Sequence, residues 1–150
     1  MNSTTPDFAL LWRSYEQLTP GQKAELRRVA EPEDLRDYAS VYRLFPGQPL
    51  DDRHLRLAFL LPWCEQAAEA PSLARQYLKE GVAEARILQV ARADKPNDIK
   101  QFRRLAMQVK PRVNWAEFGK TLWFWGVNAK RSLVEQYYLA KFEPAKGGSK

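Results

Sequence analysis

Apolar positions recur along most of this chain at intervals of three and four residues, and prolines, glycines and short polar residues divide the segments that carry that period. Such spacing puts apolar side chains on one stripe of an α-helix, and no stretch shows the two-residue alternation of a half-buried strand. The first segment opens at Pro6 and Asp7 and carries Phe8, Leu11, Trp12 and Tyr15 to about Leu18. Thr19, Pro20 and Gln22 then form a capping-box pattern with proline at the first helical position, which predicts a helix through Leu26 to Val29. Pro32, with Glu33 and Asp34 in the first turn, predicts one helix through Leu35, Tyr38, Val41 and Tyr42 to Leu44 or Phe45. After a loop at Pro46 to Pro49, Asp51 or Asp52 caps an apolar helix carrying Leu55 to Leu61, and Pro62 kinks or ends it.

In the second half Pro71 and Ser72 start a helix that Gly81 closes, and a further helix covers about Ala83 to Ala93. The chain breaks at Lys95 and Pro96, and Asn97 caps the next helix. There Ile99, Phe102, Leu105, Ala106 and Val109 occupy one arc of about 120°, while Lys100, Arg103, Arg104 and Lys110 occupy a separate one. Pro111 ends it, Asn114 with Glu117 opens a helix from Trp115 to Gly126, and a last helix carries Leu133, Val134, Tyr137 and Tyr138. Trp115, Phe118, Leu122 and Trp125 fall at helical spacing and are expected in the core, whereas Trp123 and Phe124 point elsewhere, toward an interface between lobes or subunits. The expected fold is all-α, in two small helical bundles: an amino-terminal lobe over residues 1–94, a carboxy-terminal lobe over 95–142, and a disordered basic tail over 143–150.

Composition removes several function classes. No apolar run approaches the roughly 20 residues of a bilayer span, the first fifteen residues show no export signal, and a lone cysteine builds no disulfide framework, so a cytoplasmic protein is expected. One histidine and one cysteine in 150 residues exclude the usual zinc sites, and no glycine-rich phosphate loop is present. His54 is expected as a surface residue beside a helix cap, and Cys64 as a packed one. Glu31, Glu33, Asp34 and Asp37 fit capping and dipole roles better than a magnesium site. No catalytic group, metal or cofactor is indicated.

Charge is the informative feature. The net +6 is unevenly placed: residues 1–80 carry −2 and residues 81–150 carry +8, most densely from Arg86 to Arg112. Basic residues spread over several helices without a base-reading motif suit contact with a nucleic-acid backbone. The alternative is a helical scaffold whose basic face meets a protein partner and no nucleic acid.

Three blocks narrow the choice. Arg27-Arg28-Val29-Ala30-Glu31-Pro32-Glu33-Asp34-Leu35-Arg36-Asp37, then Glu84 to Asp94 (EARILQVARAD) with Gln101-Phe102-Arg103-Arg104-Leu105, then Leu122-Trp123-Phe124-Trp125-Gly126 stand in the order found in the CasB family. Over about residues 8 to 140 the chain resembles that family, the small subunit of the type I-E CRISPR surveillance complex Cascade. The resemblance implies two all-α lobes and a non-enzymatic subunit of the antiviral complex. It also implies a second copy of itself, the backbone and large subunits, crRNA and target DNA as partners. By matching position it assigns nucleic-acid contact, stabilising the R-loop on target and displaced strands, to Arg28, Arg53, Arg92, Lys95, Arg103, Arg104, Lys130 and Arg131.

Overall fold

The structure, a computed structural model, describes residues 5–144. In chain order it comprises α1 (Phe8–Glu16), α2 (Pro20–Arg28), a 3₁₀ helix (Pro32–Asp37), α3 (Ala39–Leu44), α4 (Asp52–Leu60), a short 3₁₀ segment (Leu61–Trp63) and β1 (Glu65–Gln66). Then follow α5 (Leu73–Lys79), α6 (Glu84–Arg92), α7 (Asn97–Val109), β2 (Arg112–Val113), α8 (Trp115–Trp123) and α9 (Val127–Lys141). The architecture is all-α, as the apolar period requires.

Local chemistry sets most of the ends. Thr19 and Gln22 bond reciprocally, the Thr19 amide donating to Gln22 Oε1 at 2.8 Å and the Gln22 amide to Thr19 Oγ1 at 3.1 Å. Asp7, Asp51, Ser72 and Asn114 each accept amide protons at the starts of α1, α4, α5 and α8. Gly81, at φ +75°, follows α5 in the left-handed conformation that a Cβ disfavours.

Besides the earlier end of α8, three features depart from expectation. The helix predicted from Pro32 to Leu44 or Phe45 is two elements, because Tyr38 is extended (φ −121°, ψ 138°). The Tyr38 amide closes the tight turn on the Leu35 carbonyl at 3.1 Å, and buried Ser40 then ties α3 to α2 by bonds to the Gln22 carbonyl (3.2 Å) and the Glu25 carboxylate. Pro96, rather than Asn97, stands at the cap of α7. The third departure is a strand pair: β1 and β2 run parallel, Glu65 opposite Arg112 and Gln66 opposite Val113. The Gln76 side-chain amide extends the pair, donating to the Arg112 carbonyl (2.8 Å) and accepting from its amide (2.9 Å). Two residues per strand are too few for an alternating pattern to register.

Helices from before and after Lys95 share one hydrophobic core. α8 lies on α1 and α4, and α9 lies on α5 and α6. Trp115 is fully buried, stacked near Trp12, and its Nε1 donates to the Cys64 carbonyl at 2.9 Å. Tyr137 fastens α9 by donating its hydroxyl to the Val82 carbonyl at 2.7 Å. Of the expected tail, Glu143 pairs with Arg75, and residues 145–150 lie outside the described residues.

Candidate nucleic-acid interface

α7 organises the basic surface because two of its cations are lashed to the α2 end. Arg103 donates from Nη1 to the Val29 carbonyl at 2.8 Å, its guanidinium lies 3.8 Å over the Phe59 ring, and burial lowers its pKa. One turn earlier, Lys100 pairs with Glu31. The chain neighbours of the tied residues, Arg104 on α7 and Arg28 at the end of α2, take no part in these ties. Both are exposed and have no ion pair among the described residues.

A second group surrounds the start of α7. Lys130 is largely buried and donates to Asp98 Oδ2 (2.9 Å) and to the Ala93 carbonyl (2.8 Å). Next to it on α9, Arg131 is exposed, and so is Arg92 at the end of α6, one residue before that carbonyl. Lys95 reaches Asp52 at 2.8 Å, which raises its pKa, and remains 72% exposed. Arg53 pairs with Asp51 (2.7 Å) and lies 4.3 Å over the Trp123 ring.

The eight basic residues therefore fall into three conditions. Arg28, Arg92, Arg104 and Arg131 are exposed with no ion pair among the described residues, Arg53 and Lys95 are accessible but paired on the surface, and Arg103 and Lys130 have donors engaged inside the protein. A surface pair such as Lys95–Asp52 is exposed to water and screened by salt, so a phosphate can displace the carboxylate. The Lys130 pair, desolvated on both sides, cannot be opened so cheaply.

Sequence reasoning missed Arg56, which donates from Nε to the Leu122 carbonyl (2.8 Å) and from Nη2 to the Trp123 carbonyl (3.0 Å). By taking those carbonyls it satisfies the end of α8, which stops at Trp123 instead of Gly126. Its partners lie 66 and 67 residues away, beyond the reach of any local pattern.

The aromatic block is also rearranged. Trp123 is 2% exposed, covering Phe8 and His54, while Phe124 is 68% exposed and Trp125 half-buried against Phe102. His54 was expected at the surface but is fully buried, edge-on between the rings of Phe45 (4.8 Å) and Trp123 (5.0 Å). Cys64 is buried as expected, and burial pushes its thiol pKa up.

His54 gives the fold a pH dependence. The Asp51 amide donates to its Nδ1 (3.1 Å), and Nε2 faces Gln48 Oε1 (3.2 Å), an arrangement satisfied by the neutral ring protonated at Nε2. Burial pushes its pKa below the ordinary value, only partly offset by the charge and hydrogen bond of Asp51. Partial burial raises the Asp51 carboxyl, yet bonds from the Arg53 side chain and backbone and the nearby positive charges outweigh it and hold the pKa well below the carboxylate range. Both groups act with one sign: as pH falls through about 6.5 the unfolded chain takes up the His54 proton first, and lower still the Asp51 proton, so stability drops. The thermal midpoint is expected to fall between about pH 7.5 and pH 5. In His54→Gln that fall is smaller, and equal falls in the two proteins contradict the assignment.

The fold and this surface define a small all-α protein that displays arginines from α2, α6, α7 and α9 with no ion pair among the described residues. No family model matches the chain. It is 32% identical over 151 residues to the CRISPR system Cascade subunit CasB of Escherichia coli (strain K12), covering 89% of this chain and 93% of the relative. It also superposes with a TM-score of 0.80, at 32% identity, on a chain of the crystal structure of E. coli Cascade bound to a PAM-containing dsDNA target. That match covers 89% of this chain and 97% of the other. The chain belongs to the CasB family.

Proposed function

We propose that this chain is the small subunit of a type I-E Cascade complex and acts without catalysis, holding the crRNA-guided R-loop by its nucleic-acid backbone. The observation that carries the reading is the set of four exposed arginines, on α2, α6, α7 and α9, that have no ion pair among the described residues. Arg28, Arg92, Arg104 and Arg131 meet phosphates directly, and Arg53 and Lys95 join them by exchanging a carboxylate for a phosphate. Arg103 and Lys130 are positioning residues. Guide pairing supplies sequence, so backbone contact suffices here, and because R-loop formation is nearly balanced in free energy a few contacts to target and displaced strands shift it. The chain works in the cytoplasm beside a second copy of itself and the backbone and large subunits.

Changing the four free arginines to alanine is expected to shorten the lifetime of complex-bound R-loops about tenfold, equivalent to ~1.4 kcal/mol. The thermal midpoint of the isolated chain stays the same. An unchanged lifetime contradicts the proposal and favours a scaffold role.

A further inference from the structure

Beside the arginine face lies a cleft of opposite character. It encloses about 470 Å³ where the starts of the first 3₁₀ helix, α4, α7 and α9 converge. Its wall is apolar, with Leu55, Ile99 and Trp125, and Val127 at its edge. Three cations also line it: Arg56 is bonded to the carbonyls ending α8, Lys130 to Asp98 and the Ala93 carbonyl, and the exposed Lys95 to Asp52.

The carboxylates are differently placed. Asp94 lines the cleft, is exposed, and has no ion pair among the described residues. Asp52 is held only by the exposed Lys95. A phosphate can take the place of Asp52 on Lys95 at the rim, but within the cleft it meets only cations already engaged, with the Asp94 and Asp98 carboxylates beside them, an unfavourable exchange. A Lys or Arg side chain would find the reverse: an apolar wall and the Trp125 ring for its methylene stem, and Asp94 for its charge. Val127 at its edge is 63% exposed, and Phe124, the chain neighbour of Trp125 in its wall, is 68% exposed, so exposed apolar side chains flank the cleft. Apolar surface rimmed by charge suits a protein partner, not a strand of nucleic acid.

We propose that this cleft and the exposed apolar side chains flanking it seat a segment of another protein subunit of the complex, one that presents a lysine or arginine next to an apolar side chain. The cation enters toward Asp94, and the apolar neighbour covers Phe124 and Val127. The proposal rests on the reading of the chain as a subunit of a larger assembly and divides its surface: arginines toward phosphate, cleft toward protein.

A photo-crosslinking phenylalanine analogue at position 127 tests it in the complex assembled from this chain, the other subunits and crRNA. The expected adduct joins this chain to a different protein subunit, survives nuclease, and maps beside a lysine or arginine. An adduct to nucleic acid, to a second copy of this chain, or no adduct in an assembled complex overturns the proposal. In parallel, the double variant Asp94→Lys with Val127→Ser is expected to be retained in salt-washed complex about tenfold less than the unaltered chain. Its thermal midpoint and single-stranded DNA binding are undiminished. Full retention overturns the proposal, as does a lowered midpoint in the free double variant that accounts for the loss. Failure of the unaltered chain to assemble at all counts instead against the functional reading.

Discussion

Asp98→Ala is expected to destabilise the folded chain by about 3–5 kcal/mol, the cost of leaving one partner of a buried ion pair alone. Asp98 is 3% exposed and serves three donors: Lys130 Nζ at 2.9 Å, Trp125 Nε1 at 3.0 Å and, through its other oxygen, the Ile99 amide at 2.8 Å. Removing it strands an ammonium whose side chain is only 14% exposed, with the Ala93 carbonyl as its remaining partner. It also leaves a half-buried indole N–H without an acceptor. Adding Lys130→Met removes the stranded charge and is expected to restore a large part of the loss. Denaturant unfolding of the single and double variants measures this, and a double variant no more stable than Asp98→Ala shows that the pair is not the source. The result also bears on function, because it separates Lys130 as a structural cation from Arg131, its exposed neighbour.

Gly119→Ala is expected to destabilise by about 2 kcal/mol, although alanine is the better helix former by about 1 kcal/mol. A Cβ on Gly119 falls 2.3 Å from Phe8 Cγ and 2.5 Å from Phe8 Cβ. Those atoms sit at the root of a buried side chain, so Phe8 cannot swing its tip aside: α1 and α8 themselves must separate. Phe8→Ala alone leaves a cavity costing about 3–5 kcal/mol. Together the two changes occupy the same space, so their effects are expected to fall well short of additive. Additive losses in a double-mutant cycle contradict the close approach.

Where information is local, the sequence carries it. The Thr19–Gln22 box, the Ser72 cap, the closure at Gly81 and the buried stripe of α7 each depend on residues within a turn of one another. The break at Tyr38 does not: it depends on Ser40 finding Gln22 and Glu25 on a different helix. Nor does the burial of His54, whose chain neighbours Asp51, Asp52 and Arg53 are polar, and which is covered by Trp123 from the far end of the chain. The basic residues show the same division. Their concentration after Gly81 is visible in composition, and the family resemblance picks them out by position. Their charges alone, however, do not distinguish Arg103 from Arg104, adjacent residues of which one holds the Val29 carbonyl and the other stands free.

The central claim, that free arginines on separate helices bind phosphate backbone, is tested most directly by the salt dependence of single-stranded DNA binding. The unaltered chain is compared with the variant lacking Arg28, Arg92, Arg104 and Arg131. Each phosphate neutralised on a single strand contributes about −0.7 to the slope of log K against log salt. The four-alanine variant is therefore expected to bind more weakly, with a slope shallower by about 3. A slope near zero for the unaltered chain, or the same slope in both proteins, contradicts the claim.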